Sequence, residues 1–413
     1  MERVVITGMG VVSPVGNDVD TFWNNLTAGK SGISTIDKLD TSQHKVSFGG
    51  VVRDFDGEAL LGRKAARRMD KFAQFALVAA QQAWEQSGLS STTIDTERLG
   101  VYVGSGIGGF ETLFQNFLKL QDKGPKRVSP TLVPSMMANA ASAQISINFE
   151  AMGPSMAPVS ACATGNHAIG EAFRLIRSGE ADAMFAGGTE SAINDISLAS
   201  FGNARALSTR NDDPRRASRP FDVNRDGFVI AEGAGILMLE SLSHAKKRGA
   251  HIIAEMAGYG ASSDAYHMVA THPEGRGAYL AMRAAFRSAG IDPTEVDIVN
   301  AHATSTPVGD ISETKALKQL LGDHAYKLPI TANKSMFGHM LGAAGGAEAI
   351  SLAMSLNHNT VPPTINLEEQ DPECDLDYVP NEARELPLNV GISNSFGFGG
   401  HNAALVFKKY NGD

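Results

Sequence analysis

The chain says nearly the same thing twice, in the same order, and that repetition constrains its fold more than any other feature. VVITGMGVVS (4–13) is echoed by IAEMAGYGASS (253–263), with Gly8 and Gly10 matching Gly258 and Gly260. Phe72, Phe75, Ala76, Ala79, Ala80 and Ala83 are spaced as one helical face, and Ala278, Ala281, Met282 and Ala285 form its counterpart. These two helices end alike, as AWEQSGL (83–89) and AFRSAGI (285–291). An apolar strand run follows each, LGVYVGSG (99–106) and VDIVNAHATS (296–305), and GFVIAEGAGILMLE (227–240) is later echoed by GFGGHNAALVF (397–407). Ordered echoes of this kind predict two similar halves, roughly 1–250 and 251–413. Each half alternates short apolar strands with helices, which predicts α/β architecture with covered sheets. The stretch 110–160 has no clear echo and reads as an insertion over the core, a place for substrate or partner contacts.

A length of 413 residues exceeds what one hydrophobic core usually organises, which agrees with two fused halves. Lys and Arg number 36 against 45 Asp and Glu, a net charge of −9, which argues against a nucleic-acid binder dominated by phosphate contacts. No apolar run reaches the ~18 residues of a membrane span. A strand begins almost at residue 1, so no signal or transit peptide is expected. Two cysteines cannot build a disulfide scaffold, so the expectation is a soluble cytoplasmic protein with reduced thiols.

Cys162 lies in SACATGNHAIGEAFRLI (160–176), where a turn of small residues enters a helix. The positive end of the helix would favour thiolate, the nucleophilic form. A small buried cysteine packing like Ala is the other reading, and the commoner one. His302 stands where the run Val296–Ala301 breaks into HATSTPVGD, and strand ends in α/β sheets are frequent ligand sites. Thr304 and Thr306 alternate behind it, so both hydroxyls could face one way, to bind a ligand arm or to close the turn. His339, in NKSMFGHMLGAAGGAEAI (333–350), precedes a small-residue helix much as Cys162 does. Lys334 sits in a segment too apolar for a solvated charge; its plainer role is a salt bridge to Glu348. SFGFGGHN places glycines around Phe398, suited to tight turning and exposed N–H groups, or to an ordinary glycine-rich hairpin.

Weaker signals surround these. GSGIGG (104–109) follows a strand but lacks the spacing and acidic partner of a dinucleotide loop. No His or Cys pairing has the spacing of a catalytic transition-metal site. Lys64, Arg67, Arg68 and Lys71 fall at helical i, i+3, i+4 and i+7, a basic face able to dock an acidic partner, or a merely solvated one.

Taken together, ACATG, HATSTPVGD, NKSMFGHMLGAAGG and NSFGFGGHN resemble the β-ketoacyl-acyl carrier protein synthases, most closely the synthase II branch that elongates chains in bacterial type II fatty acid synthesis. The resemblance covers essentially the whole chain. It implies the thiolase-like fold, two duplicated halves in five layers α-β-α-β-α, working as a homodimer. It carries the nucleophilic cysteine onto Cys162, the two catalytic histidines onto His302 and His339, a lysine onto Lys334 and a gating phenylalanine onto Phe398. Ile107 and Phe201 fall on acyl-pocket positions, and Thr304 and Thr306 on those that bind the phosphopantetheine arm. Two departures stand out. Ala303 replaces a frequent glycine, and His401, where some members have Thr, receives no role.

What the resemblance implies is a decarboxylative Claisen condensation. An acyl chain is carried on Cys162, malonyl-carrier protein loses carbon dioxide, and the enolate makes a β-ketoacyl product two carbons longer. Two neutral imidazoles would stabilise the enolate without a catalytic metal or cofactor. A structural Na⁺ or K⁺ near Glu348, Ser393 and Asn394 is further implied. Acyl carrier protein would be the partner, docked by Lys64, Arg67, Arg68 and Lys71 with Lys126, Arg127 and Arg205. Thiolases use a second cysteine near the C-terminus, and SFGFGGHN has none; initiating synthases pair cysteine with His and Asn, which the two-histidine pattern fits less well. A specialised or polyketide synthase stays open, because these motifs do not set chain length.

Overall fold

The computed structural model describes residues 1–412. Ten strands join in one sheet: β1 (Val4–Val12), β2 (Leu99–Gly104), β3 (Ser155–Met156), β4 (Ala183–Glu190), β5 (Gly233–Ser241), β6 (Ala254–Ser263), β7 (Ile298–Asn300), β8 (Ile330–Thr331), β9 (Val390–Gly397) and β10 (His401–Lys408). Their order is β8-β7-β9-β10-β6-β1-β5-β4-β2-β3. From the centre outward each half runs first, fifth, fourth, second and third strand, with two antiparallel and then two parallel pairings. The halves meet where β1 pairs antiparallel with β6. The repeat in the sequence is thus a repeat of topology.

Six helices complete the pattern: α1 (Lys71–Ser87), α2 (Ala140–Phe149), α3 (Thr164–Arg177), α4 (Arg276–Ala289), α5 (Pro307–Leu321) and α6 (Ala344–His358). The outer helix α1 packs on β1, β5 and β4, and its counterpart α4 on β6, β10 and β9. The inner helices α3 and α6 touch each other and strands of both halves, and α6 is buried from Ala344 to Leu356. The fold is therefore the thiolase-like α-β-α-β-α arrangement. One apolar cluster fills the middle around α3 and α6, and separate clusters lie under α1 and under α4 and α5.

The paired glycines explain how the outer helices seat. A Cβ at Gly10 would lie 1.9 Å from the Ala79 carbonyl oxygen, and one at Gly260 would lie 2.1 Å from that of Ala281. Only a bare backbone lets strand and helix approach this closely. Asp70 caps α1 through the Phe72 N–H, and Gly88 ends it in the left-handed region at φ 65°.

Of the stretch 110–160, α2 takes the place that α5 takes in the second half. The helix Phe110–Lys123 and the turn Leu132–Met136 stand outside the shared pattern. Among the described residues, no helix is long and apolar enough to cross a membrane.

Candidate active site

Cys162 sits in a single 3-10 turn, Ala161–Ala163, that leads into α3. Ala161 adopts φ 52°, a left-handed conformation that alanine rarely takes and that turns the cysteine away from the helix path. The thiol is 8% exposed. The N–H groups of Phe398 and of Cys162 itself approach the sulfur, and the Lys334 charge reaches it. These favour thiolate but do not prevail. Burial, with a smaller push from the Glu190 charge, moves the thiol up to about 12. Burial is thus the larger influence at the resting thiol, and it opposes the thiolate that a helix start would favour. Cys374, also buried, lies in the core of the second half.

His302 follows β7. Its N–H and that of Ala303 donate to the two oxygens of Glu313 at 2.9 and 2.8 Å. The loop continues through Ala303 at φ 28° and Ser305 at φ 68°. A glycine would sit at Ala303 without the strain of order 1 kcal/mol or more that alanine carries. Asp310 accepts from the Ser305 N–H, and the Thr304 and Thr306 hydroxyls stand 3.2 Å apart. Glu313 and Asp310 escaped the sequence reading; two acidic residues three apart on a half-apolar helix were the available signal.

His339 is fixed by its backbone, which donates to the Val229 carbonyl at 2.7 Å and accepts from the Ala231 N–H at 2.9 Å. Its ring lies 5.5 Å from that of His302, nearly perpendicular at 84°, and 5.3 Å from Phe228. Both ring nitrogens of His339 and Nδ1 of His302 are buried without a hydrogen-bond partner. Burial first, then the Lys334 charge, holds both imidazoles well below their ordinary range, so both are neutral. The register of the two halves also corrects one expectation. The counterpart of the Ala161–Ala163 turn is Leu341–Ala343, so Cys162 corresponds to Gly342 and not to His339.

Lys334 is fully buried and ion-paired with Glu348, the plainer role the sequence offers it. Its charge nonetheless reaches Cys162, His302 and His339. Burial raises the Glu348 carboxyl to about 7 against the pull of Lys334. Around this pair four buried oxygens lack a partner: Glu348 Oε2, Asn300 Oδ1, Ser393 Oγ and Asn394 Oδ1. Ser393 and Asn300 face each other across the β9–β7 ladder, so the set is local. Oxygens alone, few of them charged, suit a hard monovalent cation and not a transition metal.

Phe398 is 38% exposed, on a turn whose Gly399 and Gly400 adopt φ 84° and 74°. A Cβ at Gly397 would fall 2.6 Å from the Ser160 carbonyl and 3.0 Å from the Cys162 nitrogen. Phe201 lies 6.5 Å from Phe398 and 5.4 Å from Phe228. Phe201 and Phe228 share one apolar cluster with Cys162, Ile193, Leu198, Leu207 and Leu341, a wall suited to an acyl chain, and exposed Phe398 reaches it through Phe201. Ile107 lies outside that cluster, its N–H held by Glu190 at 3.2 Å. GSGIGG is pinned by this carboxylate at Gly106, and its other glycines pass close to Pro158 and Met136, so the segment is accounted for without a nucleotide.

The basic face is not one helix. Arg63–Ala66 is a short helix, and Asp70 starts α1 anew at Lys71, so the predicted i to i+7 stripe is broken. Lys71 turns inward to buried Glu232, 3.5 Å away, and Arg67 pairs with Glu58 at 2.9 Å. Arg63, Lys64 and Arg68 line a surface depression of about 570 Å³ with Gln144. Lys126 and Arg127 are exposed on a separate turn, and exposed Arg205 follows the helix Asp195–Asn203.

Comparison with known proteins gives a consistent result. The family described as β-ketoacyl synthase matches through its N-terminal domain at residues 1–245 and its C-terminal domain at 253–368. A 3-oxoacyl-[acyl-carrier-protein] synthase 2 from Synechocystis is 51% identical over 99% of this chain and 98% of its own. One from Staphylococcus aureus is 52% identical over 99% of each. A β-ketoacyl synthase from Burkholderia phymatum superimposes with a TM-score of 0.92 at 36% identity over 100% of both chains. A type II polyketide ketosynthase, solved with its acyl-carrier protein and bound to the hexaketide, gives 0.93 at 36% identity over 99% of this chain and 100% of that one.

Proposed function

The chain belongs to the β-ketoacyl synthase family, and on that premise we propose how its residues perform the elongating condensation of fatty acid synthesis. The observation that carries the reading is two neutral, buried imidazoles with unpartnered nitrogens that share one lysine charge with a buried thiol.

In the first half-reaction the Cys162 sulfur attacks the thioester carbonyl of an acyl carrier protein. The carbon–sulfur bond to Cys162 forms, that to the carrier breaks, and the proton lost by Cys162 ends on the departing carrier thiol. The N–H groups of Cys162 and Phe398 hold the transient oxyanion. A thiol raised to about 12 attacks as its proton leaves, not from a standing thiolate. In the second half-reaction malonyl-carrier protein loses carbon dioxide. His302 and His339 each donate one N–H to the enolate oxygen. The enolate carbon bonds to the acyl carbonyl, and the tetrahedral intermediate expels the Cys162 sulfur, which takes up from solvent the one proton the half-reaction consumes. Thr304 and Thr306 bind the arm, and Phe398, freed by its glycines, moves to admit the chain to the pocket beside Phe201.

Acyl carrier protein is the partner in this reading, as it is for the polyketide relative. Arg63, Lys64 and Arg68 are its first contacts, joined by Arg67, Lys126, Arg127 and Arg205, with Lys71 contributing little because it faces Glu232. A second copy of the chain belongs on the open edge of the sheet. Strand β3 ends the sheet with Met152, Met156 and Val159 exposed around it, whereas the opposite edge, β8, is buried under the 360–380 segment. A monovalent cation on Asn300, Glu348, Ser393 and Asn394 would offset buried negative charge and brace β7 against β9. A cytoplasmic location agrees with the substrates.

The test is incubation with malonyl- and defined acyl-carrier proteins, read by mass spectrometry. A product two carbons longer and an acylated Cys162 peptide are expected. Normal elongation by Cys162→Ala would refute the assignment.

A further inference from the structure

The two halves carry the same turn twice. Cys162 lies in one and Gly342 in the other. The strand that closes on each turn is also repeated. β4 and β9 are eight residues long and pair in register with β5 and β10, which makes Glu190, the last residue of β4, the counterpart of Gly397, the last of β9. Beside Cys162, glycine leaves open the space in front of the nucleophile's N–H, where a reacting oxygen must sit. Beside Gly342 that space is filled. Oε2 of Glu190 accepts from the Gly342 N–H at 3.0 Å and the Gly106 N–H at 2.8 Å. Oε1 accepts from the Ser105 hydroxyl at 2.7 Å and the Ile107 N–H at 3.2 Å.

We propose that Glu190 is a built-in anion seated in the second half's counterpart of the oxyanion hole, and a positioning residue that locks the Cys162 and His339 turns together. Burial raises the Glu190 carboxyl, and the four donors around it pull the other way and favour the ionised form. Ser105 already accepts from the Gly108 N–H at 2.8 Å, so its hydroxyl proton points at Glu190, and four donors leave no position for a carboxyl proton. It bonds the Gly342 turn directly and approaches the Cys162 turn through Gly106. Gly342 follows His339 by three residues. On the other side, a Cβ at Gly106 would lie 2.9 Å from Glu190 and 3.4 Å from the Ala161 carbonyl, the residue before Cys162. The Glu190 charge also opposes ionisation of the thiol, while Lys334 favours it.

The test uses full-length Glu190→Ala and Glu190→Gln, with kcat, KM for both carrier substrates, thermal midpoint, and the pH dependence of Cys162 alkylation by iodoacetamide. The inference rests on Cys162 being the nucleophile, so wild type is the first control: if alkylation at Cys162 leaves it active, that assignment fails and not this one. Glu190→Ala should lose about tenfold or more in kcat with KM little changed. Sodium formate, a carboxylate small enough for the vacated hole, should restore kcat in a saturable way. Glu190→Gln, which keeps the shape but turns an N–H₂ toward two donors, should lose kcat and gain nothing from formate. Cys162 alkylation at pH 8 should be faster by about twofold or more in both variants, the opposing charge being gone. Should Glu190→Ala not fold, Glu190→Gln decides by itself. A lowered thermal midpoint with wild-type kcat and a wild-type alkylation profile would make Glu190 only a buried fold contact, and would overturn the proposal.

Discussion

Replacing His302 or His339 by alanine should separate the two half-reactions. Each imidazole supplies one donor to the enolate, and losing one such donor elsewhere costs ~100–1000-fold, or ~3–4 kcal/mol. The surroundings place each variant within that range. His339 is 2% exposed, packed on Phe228 and held by backbone on both sides, so water would substitute poorly and the loss should approach ~1000-fold. His302 is 8% exposed, so water enters more easily than at His339 and the loss should be nearer ~100-fold. The rings act on one oxygen, so the double variant should fall well short of the product of the singles. The assay starts from enzyme preloaded with an acyl group and measures carbon dioxide release from malonyl-carrier protein. Acyl loading of Cys162 is timed separately and should change far less. The sign of the pH effect is also set. Both imidazoles titrate well below 6.5, so they stay neutral through that value, and carbon dioxide release should show no step there as pH falls. Unchanged release in either variant would refute the role. Equal losses in loading and decarboxylation would mean that the site had collapsed instead.

Three further outcomes follow from the same geometry. Iodoacetamide should modify Cys162 with a rate that keeps rising with pH beyond 9, since burial moves the thiol to about 12; a plateau near 9 by peptide mass mapping would show a solvated thiol. Charge reversal at Arg68 and Arg67 should raise KM for carrier substrates with kcat little changed, and more at Arg68, because Arg67 is already paired with Glu58; unchanged KM in steady-state kinetics would leave the face without a partner. Gly10→Ala should cost ~1–3 kcal/mol, because its Cβ would meet the Ala79 carbonyl and force β1 from α1; a denaturation midpoint equal to wild type would contradict that seating.

Ordered echoes and strand–helix alternation made the duplication legible in the sequence, because repeated packing surfaces need repeated small and apolar residues. Gly8 and Gly10 matched Gly258 and Gly260 for the same steric reason in both halves. Cys162, His302, His339 and Phe398 were legible because each stands at a break between an apolar run and a glycine- or threonine-rich turn. Tertiary structure decided what those breaks do. Burial, which no local spacing reports, opposes the thiolate that the helix start favours at Cys162. The stripe over 62–71 looked continuous until Asp70 restarted the helix and Glu232, 161 residues beyond Lys71 in the chain, drew that lysine inward. Glu190 gave no local sign of its role. A buried carboxylate is defined by the donors around it, and here those donors come from segments far apart in the chain that meet only when the two halves close.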